Sequence, residues 1–352
     1  MQAQEKGNEE KMIYNSPSDW SKKNTGIRFS PFKIAWLFPD GSYENPSNRL
    51  RRYQINNYFN NLEETIQSKT FVAGEGNYLE GSPSAMCEFL EKFDVVVIFN
   101  VASYDAELSK LLVSKGKTVV FDHCENIFGL GAEDEIMRSV SAITCCSSSL
   151  ADNTERYLHS NLGIDKPIFV IHDPVDNSAI PNLIDYALPT NRALIMAMGA
   201  NVQYVFPFLE GLCKKTGYEI FIITERGFNF PYSTKIWGIH NWAMFAATCS
   251  IALCYHDIYQ FPAKGNVKVT NPMSIGLPVI APPMNSYMEA ITNGYDGFIS
   301  DTEEGWIKNM EALKDPNLRR AVGIRAHRSA FEKYGVDKIA LDYLTMIGIL
   351  KK

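Results

Sequence analysis

Short, uniformly apolar runs dominate this sequence, and they come in two successive series. The first comprises KIAWLF (33–38), TFVA (70–73), DVVVIF (94–99), TVVFD (118–122), AITCC (142–146) and IFVI (168–171). Each is bounded by Gly, Pro, Asp or Asn, and many lead into a helical segment. A strand without polar alternation must be covered on both faces, as in a parallel sheet held between helix layers. After a stretch marked by Pro181, Asn182, Pro189 and Asn191 the grammar restarts. The second series is ALIMAMG (193–199), YEIFIIT (218–224), IALCY (251–255), PVIAP (278–282) and a short FIS (298–300). The predicted fold class is therefore α/β, with two doubly wound, Rossmann-like domains facing a cleft. Residues 1–31 read as a flexible leader, 32–188 and 189–336 as the two domains, and 337–352 as an amphipathic terminal helix.

A chain of 352 residues suits two such domains. Its formal charge of −6 argues against a general nucleic-acid partner, because that affinity rests on clustered Lys and Arg. The seven cysteines sit mostly inside apolar runs without CxxC spacing, so they read as free thiols in a reducing compartment and not as a zinc site. No apolar stretch approaches a membrane span and the N-terminus is polar, so the expected location is the cytoplasm. Peripheral association with the inner face of a membrane stays open, as does oligomeric state.

Open parallel sheets bind ligands beyond the carboxyl ends of their strands, which directs attention to the strand-to-helix loops. The first, 38–53, has Gly41 for close backbone approach, Ser47 or Asn48 as helix cap, and Arg49 and Arg52 near a possible phosphate; a surface turn with a solvated basic face explains it equally well. The second, FDHCENIF (121–128), places Asp122, His123 and Glu125 directly after an apolar strand. His123 could move a proton or orient a sugar hydroxyl, although a lone histidine is more often structural. The third runs from 256 to 298. Its Lys264, Gly265 and Asn266 lead into a short helix bearing Lys268 and Asn271, closed by Gly276. Helix-start amides and two lysines one turn apart form an anion site suited to a diphosphate.

On these residues the chain resembles GT-B glycosyltransferases, particularly the large retaining, nucleotide-sugar-dependent family (family 4-like). KGNVKVTNPMSIGLPVIA is similar to that family's basic stretch, short helix and Gly-x-Pro-Val-Ile, and YMEAITNGYDGFI to its continuation. SVSAITCCSSSLADNT, VIHDPVD and Gly199 after ALIMAM fall in the family's order, as does Trp242 before the helix preceding IALCY. The resemblance implies a glycosyltransferase moving a sugar from a nucleotide-sugar donor to a glycan, lipid-linked or other acceptor, in polysaccharide-type biosynthesis. It places Gly41 near the donor phosphates, His123 on the acceptor side as the catalytic candidate, and Gly199 and Trp242 along the nucleotide pocket. Lys264 and Lys268 would meet the diphosphate, and Asn266 and Val267 would supply amides. It also implies that the terminal helix crosses back to the first domain.

Two glutamates common in that family are replaced here by Ala263 and Asn271. The latter can still hydrogen-bond a ribose hydroxyl but lacks the charge of a carboxylate. With lysines and amides to neutralise the diphosphate, and no Asp-x-Asp motif, no metal and no other cofactor is expected. Two rival readings share the fold: a nucleotide-sugar epimerase, and a degenerate member acting as a sugar-binding or partner subunit.

Overall fold

Two six-stranded sheets, parallel at every described strand pair, form the framework, in the orders β2-β1-β3-β4-β5-β6 and β12-β11-β10-β7-β8-β9. The first contains β1 (Phe32–Phe38), β2 (Ile66–Val72), β3 (Val95–Ile98), β4 (Thr118–His123), β5 (Ala142–Cys145) and β6 (Ile168–Val170). The second contains β7 (Arg192–Met196), β8 (Glu219–Thr224), β9 (Ser233–Ile236), β10 (Ile251–Leu253), β11 (Val279–Ala281) and β12 (Phe298–Ile299). These strands belong to a computed structural model that describes residues 31–351, apart from 39–41, 44, 63–65, 73–80, 100–102, 127, 177–183, 185, 187–189, 198, 226–229, 239–240 and 257–262. Gly41 and the leader before Pro31 lie outside the described residues.

The connecting helices begin with α1 (Pro46–Asn48), which runs through a π-helical stretch (Arg49–Gln54) into α2 (Ile55–Asn61). Then come α3 (Pro83–Leu90), α4 (Ser103–Ser114), α5 (Gly131–Ser139) and α6 (Ser148–Tyr157). The second half carries α7 (Gly199–Thr216), α8 (Trp242–Ala246), α9 (Val267–Ser274), α10 (Asn285–Ala290) and α11 (Glu303–Ala312). Two longer helices, α12 (Pro316–Tyr334) and α13 (Val336–Leu350), close the chain. In each sheet the chain winds outward in one direction and then in the other. The direction reverses between β1 and β3 and between β7 and β10, and that reversal opens a crevice at the carboxyl ends of the strands.

Helix α13 returns to the first domain. Tyr343 meets Trp36 of β1 edge-on, with ring centroids 5.3 Å apart. Ile339, Leu344 and Ile347 are buried in the same apolar cluster as Ile55 and Phe59. Each such burial contributes roughly 1.5–3 kcal/mol, so the terminal helix ties the two halves together. Among the described residues no helix is long and apolar enough to cross a membrane.

Several local expectations change. Asn45, not Ser47 or Asn48, caps the first helix, its side chain accepting from the Ser47 amide. Arg49 and Arg52 do not form a solvated or phosphate-facing surface; with Arg51 they are about 1% exposed. Arg49 pairs with Asp176 at 2.7 Å, and Arg51 pairs with Asp122 at 2.6 Å and Asp173 at 3.0 Å. Burial alone would raise the Asp122 carboxyl, but the Arg51 guanidinium beside it holds it below its ordinary range. A buried acid at the tip of an apolar strand requires such a cation.

Candidate functional site

The loop that leaves β10 at the second crevice carries Lys264, Gly265 and the start of α9. Pro272 inside α9 has no amide to give the Lys268 carbonyl four residues back, and the Cys254 thiol donates to that oxygen instead, at 2.9 Å. The turn thus stays helical and holds the Lys268 side chain toward the first domain. Gly276, at φ 81°, ends the helix in the left-handed conformation that glycine tolerates.

A cavity of about 270 Å³ lies between the domains here. The second domain contributes His256, Lys264, Gly265, Val267, Lys268 and Tyr287, and the first contributes Ser47, Cys124, Glu125, Cys146 and Asp173. Several contacts pull the walls together. Lys264 Nζ donates to Glu125 Oε2 at 2.6 Å, and Ser147 Oγ donates to the Ala263 carbonyl at 3.1 Å. Asp173 Oδ2 stands so close to Gly265 that any side-chain carbon at that position would overlap it.

Lys268 differs from Lys264. It is partly buried, and among the described residues it enters no ion pair. Burial, assisted by the neighbouring Lys264 ammonium, lowers its pKa to about 8. The Tyr287 hydroxyl, fully buried, has no hydrogen-bond partner among the described residues. A cation on the cavity wall with no ion pair among the described residues is the kind of group with which an anion of several acceptor oxygens would pair. The first turn of α9 adds amides that its own helix cannot satisfy.

Of the residues named from the sequence, Ser47, Glu125, Lys264, Gly265, Val267 and Lys268 border this cavity. Asn266 is fully buried at the start of α9, and its side chain makes no capping hydrogen bond. Asn271 does not face the cavity: its Oδ1 accepts from the Asp176 amide at 3.4 Å, on the connection between the domains. Gly199 opens α7 just after β7, on the other side of the sheet reversal.

Two placements are corrections. Trp242 does not border this cavity; it is 0% exposed, packed in the apolar core. His123 does not open onto the cavity. It is buried against Phe121 and Phe128, with Nδ1 3.4 Å from Glu133 Oε1. Burial lowers its pKa to about 4, so it is neutral near pH 7. Tyr287, Asp173, Cys124 and Cys146 also border the cavity; each lies in a segment singled out from the sequence, but none was named there as a site residue. Among the described residues no group of three or more His, Cys, Asp or Glu side chains is placed to hold a metal ion.

No protein-family model matches the sequence, and no curated protein is similar to it. Solved structures do share its fold. A glycosyltransferase from Rickettsia africae aligns at TM-score 0.63 and 12% identity, covering 92% of this chain and 100% of that one. HepE from Anabaena, in complex with UDP and glucose, aligns at 0.65 and 13%, covering 90% and 100%. Sucrose-phosphate synthase from Thermosynechococcus elongatus aligns at 0.61 and 10%, covering 91% and 99%. The chain has the two-domain GT-B fold of these glycosyltransferases.

Proposed function

We propose that this protein is a nucleotide-sugar-dependent glycosyltransferase whose donor diphosphate docks in the cavity between Lys264, Lys268 and Tyr287. The observation that carries this reading is the Lys268 ammonium, held in the domain seam with no counter-ion among the described residues. As the bond from the sugar to the diphosphate breaks, charge accumulates on the leaving phosphate, and a fixed cation with oriented amides stabilises that charge without reorganising. HepE has been solved with UDP and with UDP-glucose, which favours a uridine diphosphate donor here. Two ammonium groups facing the diphosphate support a metal-independent reaction. Retention of configuration is supported by the resemblance of segment 264–298 alone. The acceptor is a glycan, lipid-linked or other hydroxyl.

A second reading, a degenerate sugar-binding or partner subunit, is favoured by Ala263 and by the commitment of Asn271 to the Asp176 amide. Calorimetric titration with UDP, GDP and their sugars, followed by a donor-hydrolysis assay, separates the two. Binding with turnover supports the transferase, binding without turnover supports the degenerate subunit, and no nucleotide binding at all removes the transferase and leaves the degenerate subunit.

A further inference from the structure

Asp173 follows β6 on the connection between the domains and borders the cavity at their seam. Its Oδ1 accepts from Arg51 Nη1 at 3.0 Å. That arginine is 1% exposed and cannot swing. Asp122, near the end of β4, accepts from its Nε at 3.0 Å and its Nη2 at 2.6 Å, and the Ile171 carbonyl accepts from Nη1 at 2.9 Å. Thr144 of β5 donates to Asp122 in turn, at 2.7 Å. A buried chain of hydrogen bonds thus runs from β5 to the cavity wall and holds the Asp173 carboxylate in one orientation.

Neutralising Arg51 does not require Asp173. Asp122 already meets the guanidinium with both oxygens, and a second acid kept only as a counter-ion would also turn both oxygens to donors. Asp173 instead leaves Oδ2 without a hydrogen bond among the described residues, and its side chain, 13% exposed, opens onto the cavity beside Gly265. An ionised carboxylate accepts hydrogen bonds and cannot donate them. In a cavity that also carries Lys264 and Lys268, it opposes a diphosphate unless it meets a part of the ligand that brings protons. The hydroxyls of a nucleotide sugar do so. Those of the transferred sugar adjoin the β-phosphate, whereas the ribose is one phosphate farther away.

We infer that Asp173 is a specificity-determining residue of the donor site, its free oxygen accepting a hydrogen bond from a hydroxyl of the transferred sugar. The second domain then holds the diphosphate while the first reads the sugar. This role deepens the proposed donor reading and rests on it. Gly265 belongs to the same arrangement, because the missing side chain lets the carboxylate approach the turn that leads into α9.

The test measures affinity by calorimetry in the wild type, Asp173→Asn and Asp173→Ala. The ligands are UDP, UDP-glucose, UDP-galactose, UDP-N-acetylglucosamine, and analogues of the best-binding sugar that each lack one hydroxyl. In the wild type, loss of one particular hydroxyl is expected to weaken binding by about tenfold or more, as for a hydrogen bond to a charged group. In Asp173→Ala the same deletion should cost less than about twofold, while UDP alone binds at least as tightly as in the wild type. Each protein is compared with itself, so a loss of stability does not produce this pattern. If no deletion costs the wild type more than about twofold, or if the cost persists undiminished in both variants, Asp173 does not read the sugar even though UDP binds. UDP weakened in both variants as much as the UDP-sugar assigns Asp173 to the nucleotide and overturns the inference. UDP that binds none of the three proteins removes the donor site itself, and the role of Asp173 with it.

Discussion

Lys264 and Glu125 meet at 2.6 Å across the domain seam, at the edge of the cavity proposed for the diphosphate. An incoming anion must share or displace the Glu125 carboxylate. Both side chains are more than a third exposed, so the pair itself is worth less than ~1 kcal/mol. Glu125→Gln therefore tightens UDP binding by roughly two- to fivefold, read by calorimetry at low ionic strength. An unchanged or weaker affinity would mean that Lys264 does not face the diphosphate.

Lys268 makes binding depend on pH. Its free-state pKa is lowered to about 8 by burial, and an anion beside it favours the protonated form. UDP affinity is expected to fall as pH rises through about 8, with proton uptake on binding near that pH. Lys268→Ala loses about 1–3 kcal/mol of binding and flattens the profile in that range. A profile that keeps its inflection in the variant assigns the titration to another group.

Gly265 faces Asp173 with no room for a side chain. Gly265→Ala is expected to lower the midpoint of thermal unfolding through a clash of about 1–3 kcal/mol, and to weaken UDP binding. Asp173→Ala in the same protein should restore much of the midpoint. If the double variant melts no higher than the single one, the close approach is not what constrains the seam.

Arg51 lies at the centre of a buried charge cluster. Arg51→Met leaves the fully buried Asp122 without its main cation, at a cost of about 3–5 kcal/mol in urea unfolding. Asp122 has a depressed folded-state pKa, so the stability it contributes is present above its unfolded value. That stability is lost as pH falls through the folded one. The Arg51 variant should show less acid-dependent loss than the wild type.

Much of the architecture was legible because buried parallel strands consist of uninterrupted apolar residues. Where a strand sits at an edge the signal fades. β9, Ser233–Ile236, is mostly exposed and carries no apolar run, and β2 begins at Ile66, four residues before the legible TFVA, because its first half alternates with exposed Gln67 and Lys69. Lys264, Gly265 and Lys268 were legible because loop, helix start and glycine stop are contiguous in the chain. His123 misled because a polar residue at a strand end looks the same in sequence whether it faces a cleft or a core, and Trp242, placed by the resemblance alone, starts α8 and packs inward. Arg49 and Arg52 misled in the opposite direction: the acid that pairs with Arg49, Asp176, lies 127 residues away, and Arg52 is buried against Asn48 and the Phe99 ring.

A crystal structure of the protein with UDP tests the central claim most directly. The β-phosphate is expected within hydrogen-bond distance of Lys268 Nζ and the Tyr287 hydroxyl, with Glu125 drawn back from Lys264. UDP bound elsewhere, with Lys268 and Tyr287 making no contact to it, would show that the donor diphosphate does not dock in this cavity.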